Sequence, residues 1–157
     1  MIQPLMQIYL AAMAWSEDDR RTNLAVAQTL EQAGFPVYLH ERDGYNRFTV
    51  PWKTLPLDEY ERAAFEQDRA ALLASDVFVL LIGSKTLEEA LCVKLGMAHA
   101  QKMLQQPLKY LVGLLTVPAT GYRADMGPSV RLALDQIIET PESLIAYLGR
   151  YGRQRNG

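Results

Sequence analysis

The stretch "VFVLLIG", residues 77–83, constrains this chain more than any other: an unbroken apolar run opened by Asp76 and closed by Ser84. A half-exposed strand would alternate polar and apolar residues, and a membrane helix needs roughly 20 apolar residues in a row. A short run rich in Val, Ile and Leu therefore reads as a strand buried on both faces, which requires helices on both sides of its sheet. The flanking sequence supplies them.

Apolar runs alternate with helix-length amphipathic ones along the chain. "QIYLAAM" reads as a first strand. "SEDDRRTNLAVAQTLEQAG" reads as a helix with Ser16 as N-cap, acids in its first turn and Gly34 at its end. "FPVYLH" is a second strand, and "LDEYERAAFEQDRAALLASD" is the helix that leads into residues 77–83. After them we expect a helix over residues 87–102, a strand at "LKYLVGLLT", and a helix at "SVRLALDQII" opened by Pro128. The last helix starts at "TPESLIAYLGRYG", capped by Thr140 with Pro141 at its first position. This alternation predicts one α/β domain over residues 1–157, doubly wound and flavodoxin-like. The basic end "GRYGRQRNG" is expected to fray into solvent. In such sheets ligands bind beyond the carboxyl ends of the strands, so the residues after Leu10, His40, Gly83 and Thr116 should surround one crevice.

Several chemistries are disfavoured. A formal net charge of -2 gives no electrostatic footprint for nucleic acid. Cys92 is the single cysteine, which rules out an intrachain disulfide, and no Cys/His spacing suits zinc, so no metal or other cofactor is expected. The start "MIQPLMQIYLAAMAW" lacks a basic leader and a long apolar core, so we expect a cytoplasmic protein without a membrane anchor. Neither G-x-G-x-x-G nor a P-loop pattern occurs, which disfavours those nucleotide sites.

Candidate site residues each have a structural alternative. Tyr9 reads as an aromatic at the core edge, or as a group facing a ligand across the small residues "YLAAMA". In the loop after the second strand, Tyr45, Phe48 and Trp52 accompany Glu41, Arg42 and Asp43. That set suits a planar base or, equally, a loop folded on its own domain or on a neighbouring subunit. Asp76 should close a turn, and Asp68, eight residues earlier on a helix, is at a position usually solvated. Thr86 and Glu89 have the spacing of a capping box, and Glu88 is favoured by the helix dipole. On a helical wheel Lys94, Met97 and Gln101 share one face, with Glu88, Cys92 and His99 nearly opposite. No Ser-His-Asp or Cys-His nucleophile is legible.

The ordered segments "IYLAA", "LEQAGFPVYLHERD", "DRAALLASDVFVLLIG" and "KLGMAHAQK" together resemble the nucleoside 2-deoxyribosyltransferase family and its nucleotide N-glycosidase relatives, from Ile8 to about Thr116. The resemblance implies a five-stranded parallel sheet flanked by helices, homo-oligomeric assembly, and a nucleoside or nucleotide ligand whose base is cleaved or exchanged at C1′ of the sugar. It places Tyr9 and Asp68 in the pocket; independently of it, Asp43 lies in the loop after the second strand, and Glu88 and Glu89 open a helix whose N-terminus points into the crevice, so either could be displayed to a ligand. Glu88 falls where the family often has an aspartate that holds sugar hydroxyls. Asp125 loosely matches an asparagine that the family draws from a neighbouring subunit.

At one position the resemblance breaks. In the family an E-x-G-x-A segment provides a glutamate nucleophile, whereas here "EEALCVKLGMA" puts Lys94 in its place. A carboxylate attacking C1′ neutralises the cation developing on the sugar, and an ammonium would oppose it, by on the order of 4 kcal/mol for unit charges at contact distance. Retained chemistry would then rest on Glu88 or Glu89 at the helix start, with Asp68 protonating the departing base. The alternatives are an inactive nucleotide-binding or regulatory module, in which Lys94 suits an anion, and a pure assembly protein that uses the aromatic loop as an interface.

Overall fold

A computed structural model describes residues 6–45, 52–106, 108–118 and 126–154. Five parallel strands, β1 (Ile8–Ala11), β2 (Val37–Leu39), β3 (Val77–Ile82), β4 (Tyr110–Leu115) and β5 (Gln136–Ile138), form one sheet in the order β2-β1-β3-β4-β5. The helices are α1 (Glu17–Gln32), α2 (His40–Asp43), α3 (Leu57–Ala74), α4 (Glu89–Leu104), α5 (Pro128–Ala133) and α6 (Pro141–Gln154), with a 3-10 turn at Trp52–Thr54 before α3.

Side chains alternate across β1, and this divides the core. Ile8 and Leu10 face Val26, Leu30, Leu144 and Leu148 of α1 and α6. Tyr9 and Ala11 face Leu72 of α3 and Leu91, Leu95 and Ala98 of α4. All six residues of β3 are buried because both of its faces are covered, as the apolar run requires. The sheet is therefore doubly wound, in a strand order that flavodoxin-like folds share.

Helix ends follow local chemistry. Ser16 caps α1 through a reciprocal capping box with Asp19, and the chain leaves α1 through Gly34 at a φ of 95°, a conformation that favours glycine. The Thr140 hydroxyl accepts from the Ser143 N–H at 3.1 Å and opens α6. At the other end of α3, the buried Lys109 ammonium donates to Leu72 O at 2.6 Å, Ser75 O at 2.8 Å and Ser75 Oγ at 3.1 Å. These bonds satisfy carbonyls that the helix leaves open and tie the lead into β4 to α3.

Three local expectations are corrected. Residues 136–138 form strand β5 instead of ending a helix. Asp135 breaks α5 and exchanges bonds with Leu111, its N–H donating to Leu111 O at 2.7 Å and its Oδ2 accepting from Leu111 N–H at 2.8 Å, which sets Gln136 opposite Val112. Tertiary pairing outweighs the helical spacing of so short a run. The helix expected from residue 87 starts at Glu89 with Glu88 as N-cap and no side-chain capping bond, so the Thr86–Glu89 box does not form. The Asp76 carboxylate accepts from the Gln7 N–H at 2.9 Å, pinning the entry of β1 beside β3. The basic end stays helical to Gln154, with the Tyr151 ring centroid 4.6 Å from that of Tyr147 and 5.1 Å from that of Tyr110, while residues 155–157 lie outside the described residues.

Candidate functional site

The register of the sheet builds the site. Tyr9 pairs with Tyr38 on β2 and with Phe78 on β3, so three aromatic rings lie side by side on one face, with centroids 5.4 Å and 5.7 Å from that of Tyr9. The Tyr9 ring is fully buried, and its hydroxyl donates to Asp68 Oδ1 at 2.6 Å. Asp68 and Leu72, one turn apart on α3, are the residues this helix buries, which corrects the expectation of a solvated Asp68.

Three donors converge on Asp68. Besides the Tyr9 hydroxyl, Lys94 Nζ of α4 lies 2.8 Å from Oδ2, and His40 Nδ1, at the end of β2, lies 3.2 Å from Oδ1. Burial by itself raises the pKa of Asp68, but the bonds from His40, Lys94 and Tyr9 and the lysine charge outweigh it and hold the carboxyl at about 2. Burial first, and then the Asp68 charge, push the Tyr9 phenol well above its ordinary range, and Tyr38 rises to about 12 for the same reasons. Lys94 Nζ also sits 5.8 Å from the Tyr9 ring centroid, within cation–π range.

Above this cluster, beyond the carboxyl ends of β1 and β2, lies a cavity of about 260 Å³. Ala11, Ala12 and Ala14 form one wall, Trp15 stands at the rim with 75% of its surface exposed, and His40, Glu41, Glu88 and Lys94 supply the polar groups. The location follows the strand-end rule, and the alanines let a ligand approach the backbone closely. Glu88 and Lys94 share this cavity despite their opposite places on the helical wheel, because Glu88 is an N-cap with extended backbone, outside the helical spacing.

The remaining sequence candidates lie elsewhere. Glu89 is exposed and off the cavity wall. The Asp43 carboxylate accepts from the Leu39 N–H and from Arg42, both at 2.9 Å. Burial raises its pKa, and those two bonds more than reverse the effect, leaving it below the ordinary value. Asp125 and Phe48 lie outside the described residues. Sequence reasoning set Glu41 among the polar groups suited to a planar base, but passed over His40, Trp15 and Asn23 as site groups. The strand-end rule pointed to His40, whereas nothing local distinguished Asn23 from a solvated helix residue. Among the described residues no group of three or more His, Cys, Asp or Glu could hold a metal ion, and no helix is long and apolar enough to cross a membrane.

With this geometry in view, the fold matches solved structures. The 2-deoxyribosyltransferase from Bacillus psychrosaccharolyticus superposes with a TM-score of 0.71 at 16% identity, over 90% of this chain and 95% of that one. The two chains share a fold. A conserved protein from Enterococcus faecalis V583 superposes with a TM-score of 0.72 at 18% identity, over 93% of this chain and 98% of that one. No family model and no curated protein matches the sequence. The five-stranded parallel sheet implied by the sequence resemblance is thus the one these structures have, and at such identities the likeness is one of fold.

Proposed function

We propose that this protein binds a nucleoside or nucleotide in the cavity beyond β1 and β2, in the manner of a 2-deoxyribosyltransferase whose attacking carboxylate has been exchanged for a cation. The observation that supports this reading is Lys94, which lines a cavity walled by alanines and rimmed by Trp15 and pairs with the buried Asp68 beneath it. Lys94 is only 18% exposed, so its ammonium belongs to the cavity and not to bulk water. By the sequence resemblance it stands where the family has its attacking glutamate. A group that binds and neutralises Asp68 there favours ligand retention over glycosyl transfer.

Thermal unfolding in the presence of deoxynucleosides and nucleotides tests binding. A ligand at 100 times its Kd should stabilise the chain by about 2.7 kcal/mol. An unchanged Tm across the panel at millimolar concentration would sink the proposal.

One observation favours a second reading, cleavage or exchange at the N-glycosidic bond. Glu88 lines the same cavity, half-buried, and spends no oxygen on capping α4. Its carboxylate would attack or shield C1′ in place of the residue at position 94. Chromatography of the same mixtures for free base separates the two readings. We also propose a cytoplasmic homo-oligomer; the exposed Phe65 and Leu73 of α3 and Val93 and Met103 of α4 support the assembly. Light scattering on the purified chain tests it, a monomeric mass being the contrary result.

A further inference from the structure

Asp68 is committed within the protein. Its Oδ1 accepts from Tyr9 and His40, its Oδ2 accepts from Lys94, and it has little capacity left for a ligand. The cavity above it is lined by a carboxylate whose bracing is of a different kind. Glu41, in the short helix after β2, receives the Asn23 amide at 3.0 Å on Oε1 and 3.3 Å on Oε2. Asn23 is 4% exposed, and the same Nδ2 donates to Met13 O at 2.7 Å, so α1, the loop after β1 and α2 are joined at one amide. Glu41 is thereby held in place by a neutral partner, with its outer lone pairs free to meet a molecule in the cavity.

We propose that Glu41 recognises the amino-and-ring-nitrogen edge of an adenine- or cytosine-type base by sharing one proton with it, and that Asn23 is its positioning residue. This inference rests on the nucleoside reading above.

The chemistry follows from donor and acceptor counts. The edge of adenine or cytosine offers an amine donor beside a ring-nitrogen acceptor. A neutral carboxyl offers an acceptor beside a donor, which is the complement, and an ionised carboxylate matches the same edge once the ring nitrogen carries the proton. Either way one proton is held between the partners and taken from solvent when the complex forms. A thymine-type edge has no basic ring nitrogen and cannot receive that proton. The surroundings of Glu41 favour proton uptake. Burial raises its pKa, while the Asn23 bond and the charges of Arg20 and His40 partly offset this and Asp19 adds to it. Glu88 and Lys94 face it across the cavity with opposite charges.

The test is calorimetric titration of the full chain with deoxyadenosine, deoxycytidine and thymidine, each in two buffers of different ionisation enthalpy at neutral pH. We expect uptake of close to one proton for the first two ligands, no uptake for thymidine, and thymidine affinity about tenfold lower. Glu41→Gln keeps a donor beside an acceptor and should still bind deoxyadenosine, but with proton uptake abolished. Glu41→Ala should lose both the uptake and the preference, and circular dichroism confirms that each variant is folded. Asn23→Ser should weaken binding severalfold and leave the uptake in place, because it loosens Glu41 without removing it. Uptake that persists in Glu41→Gln, or equal wild-type affinity for all three ligands without uptake, overturns the assignment and leaves nucleoside binding standing. Failure of the wild type to bind any of them overturns both.

Discussion

Lys94 Nζ and Asp68 Oδ2 lie 2.8 Å apart, joining α4 to α3 at the edge of the cavity. This contact gives position 94 two effects. It supplies the counter-charge that lets Asp68 stay ionised while 7% exposed, and under the function proposed above it puts a cation where a nucleophile would stand.

Removing that counter-charge should therefore be expensive. Lys94→Met leaves Asp68 buried with only the Tyr9 hydroxyl and the partly exposed His40, and a broken buried pair typically loses about 3–5 kcal/mol, less here because those two partners remain. We expect a loss of about 2–3 kcal/mol in urea unfolding, read as a lower midpoint at unchanged slope.

Lys94→Glu should act differently. A carboxylate brought against Asp68 sets two like charges side by side, so one acid holds a proton and the other stays ionised. That is the acid and nucleophile combination glycosyl transfer needs. We expect free base from deoxynucleosides at a rate at least about tenfold above wild type, followed by chromatography. If the wild type itself releases base, Glu88→Gln should lower that rate about a hundredfold or more, which would place the chemistry on the start of α4.

Acid stability should report Asp68. Its folded pKa of about 2 lies below the ordinary 3.8, so its stabilisation is fully present above about pH 4 and is lost as pH falls from 3.8 through 2. The difference is worth about 2 kcal/mol at neutral pH. Asp68→Asn should flatten that limb of the stability curve, as followed by circular dichroism in unfolding series between pH 5 and 2. An unchanged limb would show that Asp68 is not the group held by Lys94.

Tyr9→Phe isolates the phenol. The stacking on Tyr38 and Phe78 remains while the 2.6 Å bond to Asp68 is lost. A bond to a charged acceptor is worth about 1.5–3 kcal/mol. For a domain of this size that lowers Tm by roughly 4–8 °C. The acid limb of Asp68 should also move to higher pH, because a donor favouring its ionised form is gone.

The sequence by itself determined the doubly wound class, since an unbroken apolar strand demands cover on both faces, and it located the crevice through the strand ends. It also marked Tyr9, Asp68 and Lys94, and the Ser16 and Thr140 caps, because each cap is a contact between residues three apart. Strand β5 escaped it: residues 136–138 carry too little periodicity to separate strand from helix until Asp135 meets Leu111. The use made of each acid escaped it as well. Only tertiary structure decided that Asp68, 26 residues from Lys94 and 59 from Tyr9 in sequence, is saturated by them, and that Glu41 is held by a buried amide from α1. A carboxylate's role depends on which donors and how much water surround it in space, and sequence spacing along one helix carries no record of either.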